Sequence, residues 1–327
     1  MQRVSVRMAV SAAAVVCASL LVSPLFRLYA YSESDLLQAV RDNERETRLA
    51  EYRDNETTLK LKLEVLDVIN ANRARHGLVP VRLDILACRV ASRTSSEAVK
   101  GRYFGHWNLR GEKPYHRWAF AGGLDHVSEN AAMRWSSLPM TRNYGDVLKF
   151  ITQAHMAMYN ETPPNDGHRQ NILNPWHTHV GLGFSLMEND FRYYELFVDR
   201  YLELDPVPAS AKAGGEVRVS GLVAGPGYGA YFAIVFYEPF PVPMSPSQIK
   251  AMGSYPDFTD RVEAKFPPWE INYDGGTRRF SFAFTPPRPG LYYVHVYVKK
   301  GHTGKERPGY VSTQGLNPVS GLVVRVE

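Results

Sequence analysis

The chain has only two cysteines in 327 residues. That excludes a disulfide scaffold and a four-cysteine zinc module. Cys17 lies in an N-terminal apolar run and lacks the small preceding residue that a lipid-modified signal needs. Cys88 is then alone, so no internal disulfide can form in the body of the protein. It sits in LDILACRVAS (83–92), a helical stretch, and reads as a small buried hydrophobe. Internal repeats and low-complexity tracts are absent. A strong charge of either sign is absent too. The formal balance is +5, and Arg3, Arg7 and Arg27 sit in a first stretch of thirty residues without acids, so the rest carries +2. A basic nucleic-acid footprint is excluded, and nucleic acid is not an expected partner. With 44% apolar and 22% charged residues, wholesale disorder and a collagen-like chain are excluded as well. No Ser or Cys stands in a recognisable nucleophile setting.

What is present begins with an export signal. Arg3 and Arg7 precede an apolar run over 8–22, the pattern of a secretory signal within 1–30. The alternative is an uncleaved anchor, because 8–26 is long enough to span a bilayer. Either way the body is expected outside the cytoplasm, secreted or at the cell envelope. Residues 31–58 are charged and read as a solvated, mostly helical spacer. Apolar periodicity predicts a first body helix over 59–69, stopped by Gly77 and Pro80. A second helix is expected over 84–100, with Asp84 as its N-cap. Residues 101–143 are rich in Gly, Trp and His and show little periodicity. A third helix is expected over 144–161, on Val147, Phe150, Ile151, Ala154 and Met158. Strands follow over 179–186 and 193–202, with Glu188-Asn189-Asp190 as the turn.

Composition then changes. DPVPASAKAGG (205–215) reads as a linker between a domain at 59–204 and another at 216–327. Few contacts are expected to cross it, so each side should fold alone. Beyond it the period is two: Phe280, Phe282 and Phe284 alternate with small residues, and Val294, Val296 and Val298 with Tyr and His. Strands separated by Pro and Gly clusters predict an antiparallel β-sandwich. TPPRPGLYYVHVYV (285–298) is similar to the late strands of bacterial immunoglobulin-like domains.

Eight of the ten histidines fall between His76 and His179, so chemistry belongs to the first domain. Four segments stand out there: INANRARHG (69–77), RYFGHWNLRGEKPYHR (102–117), VSEN (127–130) and MYNETPPNDGHRQNILNPWHTHVGLGF (158–184). In that order and spacing, over about 61–202, they resemble the CAP superfamily of cysteine-rich secretory, antigen 5 and pathogenesis-related-1 proteins, the SCP domain. The likeness is to its bacterial secreted branch, and GHRQNILNP followed by VGLGF is its specific part. The resemblance implies an α+β class and a three-layer α-β-α sandwich. It also implies a cavity of two histidines and two glutamates. By motif these are His106 in Phe-Gly-His, Glu129 before Asn130, His168 in Gly-His-Arg, and Glu161, where Met158 stands in place of the family's Trp.

Two imidazoles can hold a divalent metal such as Zn²⁺, and nearby carboxylates can orient the rings. Two ligands are fewer than the usual three, so weak, reversible binding at His106 and His168 is expected. The same four groups could form a metal-free cluster in which Glu129 and Glu161 act as acid or base. The leading expectation is a non-catalytic binding protein whose ligand is a lipid, a glycan or a protein. The alternative is an extracellular, peptidase-like hydrolase using the same cavity, and a third reading makes the β-sandwich an adhesive module. VSEN is read as the edge of a turn, and Ser128 is a nucleophile candidate only by adjacency to Glu129. Asn171 and Asn174 are expected to tie down the loop after His168, and Arg169 to pair locally. Trp107, Trp118, Trp135 and Trp176 are read as core rather than groove. His177 and His179 are read as two polar residues on one strand face, with a metal pair as the lesser reading.

Overall fold

The computed structural model describes residues 30–208, 210–255 and 261–327. The export signal and the candidate anchor at 8–26 lie outside the described residues. Among the described residues no helix is long and apolar enough to cross a membrane.

The first half runs α1 (Glu33–Arg45), α2 (Glu56–Ala74), β1 (Arg82–Leu83), α3 (Ile85–Lys100), α4 (Pro114–Phe120), β2 (His126–Trp135), α5 (Tyr144–Tyr159), α6 (Gly167–Ile172), β3 (His179–Met187) and β4 (Asp190–Asp199). Its sheet has the order β1-β3-β4-β2, parallel between β1 and β3 and antiparallel elsewhere. Leu63 and Ile69 of α2 and Ile151 of α5 share one apolar cluster with Val180, Leu182 and Phe191 of the sheet. On the opposite face α3 lies directly on β3. A Cβ at Gly181 would stand 2.1 Å from the Ala87 carbonyl carbon, and one at Gly183 only 2.0 Å from that of Ala91. The glycines of VGLGF are therefore what lets a helix backbone rest on the strand. The layers are helix, sheet, helix. Asp84 caps α3 as its sequence suggests, accepting the Ala87 N–H at 2.7 Å.

Three parts differ from the sequence expectation. Residues 101–143 hold both α4 and β2. The strand at VSEN carries no alternation because both of its faces are covered: Val127, Glu129, Asn130 and Ala131 are all buried. The strand expected over 193–202 ends at Asp199, and β5 (Leu202–Leu204) pairs instead with the second half. The spacer is helical and mostly exposed, as expected, but one face of it is docked. Asn43 is buried, and the fully buried Arg89 guanidinium donates to the carbonyls of Asn43, Glu46 and Arg48. Lys62 and Asp54 close a buried ion pair at 2.6 Å on the same side.

The second half runs β6 (Ser210–Ala211), β7 (Val217–Val223), β8 (Tyr228–Glu238), α7 (Pro246–Met252), β9 (Val262–Phe266), β10 (Asn272–Asp274), β11 (Arg279–Phe284), β12 (Gly290–Lys300) and β13 (Leu322–Val326). Its two sheets, β10-β11-β7-β5 and β6-β13-β12-β8-β9, face each other. Val219, Phe280 and Phe282 from one meet Val235, Val294 and Val296 from the other in a single core. The period-two pattern of 280–284 and 294–298 is this inner face. The linker itself supplies β6, paired in parallel with β13.

The two halves also share a core of their own. Leu86, Val90, Tyr115 and Trp118 cluster with Phe236, Leu291, Tyr293 and Val323, and the Tyr115 and Tyr293 rings stack at 4.4 Å. Cys88 lies fully buried under β3, with the Leu182 N–H 3.3 Å from its sulfur, and burial pushes its thiol up to about 12. It is an inert core residue.

Candidate functional site

The four residues singled out by sequence form two histidine–glutamate pairs at the free edge of β2. His106 follows α3 in a loop, and Glu129 stands on β2. His106 Nδ1 is 3.0 Å from Glu129 Oε1, and the glutamate side chain is almost fully buried. The other oxygen, Oε2, accepts from Arg117 at 2.6 Å. Arg117 is fully buried on α4 and forks further, donating to the carbonyls of His106 at 2.6 Å and Glu112 at 2.9 Å. Burial works against its charge, but the Glu129 carboxylate outweighs burial and holds the guanidinium pKa above its usual value. One side chain thus fixes both the His106 loop and the carboxylate that orients the imidazole.

The second pair is built by a helix start. Glu161 follows the end of α5, and His168 is the second residue of α6. Glu161 Oε1 meets His168 Nδ1 at 2.6 Å, while Oε2 accepts the His168 backbone N–H at 3.0 Å. The carboxylate satisfies an otherwise orphaned amide of α6 and turns the ring at the same time. His168 is the more open of the two histidines, its side chain 34% exposed against 15% for His106. In both, a carboxylate takes the Nδ1–H, so in the neutral ring the lone pair is on Nε2.

The floor beneath is a chain of buried amides whose orientation follows from its ends. Asn130 Nδ2 faces two acceptors, the His168 carbonyl at 3.2 Å and Glu195 Oε2 at 3.1 Å. Its Oδ1 must therefore accept, from Asn171 Nδ2 at 2.9 Å. Asn171 Oδ1 in turn accepts from the Ser128 hydroxyl at 2.6 Å and from His177 Nε2 at 3.0 Å. His177 Nδ1 sits 2.6 Å from Asp199 Oδ1. Both ring nitrogens of His177 face side-chain oxygens, which fixes the ring between β4 and α6. Glu195 also receives His155 Nδ1 at 2.7 Å and the Tyr193 hydroxyl at 3.0 Å, all fully buried.

Ser128, His177 and Asp199 have the composition of a nucleophilic triad, with Ser128 Oγ 3.5 Å from His177 Nε2. The hydrogens point the wrong way for one. A triad needs the serine proton aimed at an imidazole lone pair. Here the Ser128 proton and the His177 Nε2 proton converge on the same Asn171 oxygen. The arrangement positions β2 and α6 and does not activate the hydroxyl.

Asn171 ties down the loop after His168, as expected. Asn174 accepts the Trp176 N–H at 3.0 Å, and Arg169 lies over the Tyr159 ring at 5.8 Å. Trp107 and Trp118 are core, and Trp176 packs against the β-sandwich. Trp135 is 62% exposed, against expectation, because β2 outruns the layer that covers it. His177 and His179 do not form a pair: His179 Nδ1 meets Thr178 Oγ1, and its imidazole is held down at about 4 by burial and the nearby Arg200 and Arg82, with Asp84 opposing. Sequence reasoning missed Arg117, Asn130, Glu195 and Asp199 as parts of the site. Asn130 and Arg117 stand inside the quoted segments. Glu195 and Asp199 lie in a strand where only burial marks them.

Residues 66–198 match the model of the cysteine-rich secretory protein family, CAP. This part of the chain is a CAP domain. Among solved structures, an extracellular protein containing a SCP domain from Bacillus anthracis str. Ames is 22% identical over 43% of this chain and 43% of that one, with a TM-score of 0.32. The alignment therefore spans less than half of the Bacillus protein. An outer surface protein from Borrelia burgdorferi is 18% identical over 43% of this chain and 93% of that one, with a TM-score of 0.33. No curated protein matches the chain.

Among the described residues, no three His, Cys, Asp or Glu side chains are placed to hold a metal ion. The carboxylates of the two pairs are already engaged, Glu129 by Arg117 and His106, Glu161 by His168 and its amide. What His106 and His168 each leave open is one imidazole Nε2 atom. Arg117→Lys tests how tightly the first pair is built. Lysine keeps the charge but cannot reach three acceptors as a fork. The stranded carbonyls should cost about 1–3 kcal/mol. Urea unfolding checks this, and an unchanged midpoint would remove Arg117 from its role.

Proposed function

We propose that this protein works outside the cytoplasm, secreted or at the cell envelope, as a binding module, and that the CAP cleft takes up a divalent metal such as Zn²⁺ weakly and reversibly. His106 and His168 would hold the ion through Nε2. Glu129 and Glu161 orient the rings and do not ligate. A bound ion would supply an electrophilic contact for an oxygen of a lipid, glycan or protein ligand. The observation that carries this reading is the carboxylate on Nδ1 of both histidines, the arrangement that presents Nε2 as a ligand. We assign the second half, two facing sheets with one core, to the immunoglobulin-like class. The peptidase-like alternative needs an activated nucleophile or water, and the hydrogen bonding of Ser128 does not supply one.

Calorimetry with Zn²⁺ at neutral pH tests the proposal. Binding should weaken as pH falls, because imidazole must be neutral to coordinate. The double variant His106→Ala plus His168→Ala should lose binding. Glu129→Gln should weaken it less than loss of either histidine. Equal binding by wild type and double variant would place the metal elsewhere and end this reading.

A further inference from the structure

We propose that the CAP cleft is completed by the β-sandwich, with Tyr255 as the positioning residue that covers His106 and fixes Glu129. The chain leaves β8 as PFPVPM (239–244), turns through α7 and reaches Tyr255. There the tyrosine ring lies 4.8 Å from the His106 ring, tilted by 55°, and edge-on to Trp107 at 6.4 Å. Its hydroxyl accepts the backbone N–H of Glu129 at 2.9 Å. One side chain from the second half therefore touches both members of the first histidine–glutamate pair.

The segment carrying Tyr255 is clamped to the same loop. Met244 N–H donates to the Leu109 carbonyl at 3.0 Å. Gly111 passes so close that a Cβ there would stand 2.1 Å from the Val242 oxygen. Ile249 of α7 is 1% exposed and packs with Tyr103, Trp107 and Tyr194 beneath the His106 loop. The His106 side is thus walled by residues 242–255, while the bonds of His168 are to Glu161 and Asn130 of the CAP domain.

The inference rests on these contacts and holds whether or not a metal binds. The test uses the full chain and diethyl pyrocarbonate, which modifies accessible neutral imidazoles, with rates for His106 and His168 read by peptide mass spectrometry. Tyr255→Ala should raise the His106 rate several-fold and leave the His168 rate unchanged. Tyr255→Phe keeps the ring, so His106 should stay protected, while amide exchange in the peptide containing Glu129 should accelerate. An unchanged His106 rate in Tyr255→Ala overturns the proposal. So does an equal rise at both histidines, which would mean general loosening. Loss of Zn²⁺ binding alone, with the His106 rates as expected, would leave this inference standing and count only against the metal reading.

Discussion

Residues 58–204 expressed without the rest of the chain are expected to aggregate, or to melt well below the intact protein. The linker composition alone argued for two independent units, but the interface is a hydrophobic core. Removing the second half uncovers Leu86, Val90, Tyr115 and Trp118, which are buried against Phe236, Leu291, Tyr293 and Val323. Each large apolar side chain fully returned to water costs about 1.5–3 kcal/mol. A few such losses approach the 5–15 kcal/mol that is typical of a whole domain. Polar contacts go as well. Glu238 of β8 receives Lys113 at 3.1 Å, His116 at 3.2 Å and the Tyr115 hydroxyl, all in buried surroundings. The backbone at 124–126 pairs with 319–321 through the His126 and Gly321 amides. Thermal melting and gel filtration of the fragment check this. A monomeric fragment that melts cooperatively within a few degrees of the intact chain would show the interface to be dispensable.

Asp199→Asn should destabilise the intact protein by about 3–5 kcal/mol at neutral pH, the cost of removing one partner of a buried ion pair. Asp199 is fully buried at the end of β4. It accepts from His177 at 2.6 Å, from His126 at 2.9 Å and from Asn317 of the second half at 2.7 Å. Asparagine fits the space, but its amide N–H₂ would oppose one of these three donors in a fully buried site. Burial alone would raise the carboxyl pKa, but His177 and His126 outweigh it and hold Asp199 below its ordinary value of 3.8. The sign follows. A depressed folded pKa gives stability that is complete above the unfolded value and is lost as pH falls below it. The gap between wild type and variant should therefore close as the pH falls below the ordinary carboxyl range. Urea unfolding at pH 7 and pH 3 measures it. A gap that stays the same at both values would mean that the charge is not what stabilises the fold.

Much of this molecule was legible because its signals are local. Helix α3 begins at Asp84 since a short acidic side chain can cap the amides of the turn that follows it. The inner face of the β-sandwich shows as Phe280, Phe282, Phe284 and Val294, Val296, Val298 because a half-buried strand alternates. The glycines of VGLGF mark the close approach of α3. His106, Glu129, Glu161 and His168 were found from short motifs, and the fold pairs them as histidine and glutamate.

Sequence by itself thus determined helices α2, α3 and α5 and the inner face of the sandwich, each through residues near one another in the chain. Only the tertiary structure decided which side chains act together. Strand β2 was hidden because both of its faces are buried, so it has no alternation to read. The docked face of the charged segment at 31–58 was hidden because its contacts come from Arg89, more than forty residues further along. Arg117 reaches Glu129, Asn171 reaches Asn130 and Asp199 reaches Asn317 across folds of the chain that no local pattern records. Tyr255 comes to His106 from the other half of the molecule. Periodicity and capping report what a segment does within one or two turns, whereas a buried polar group is satisfied by whichever partner the packing of layers delivers.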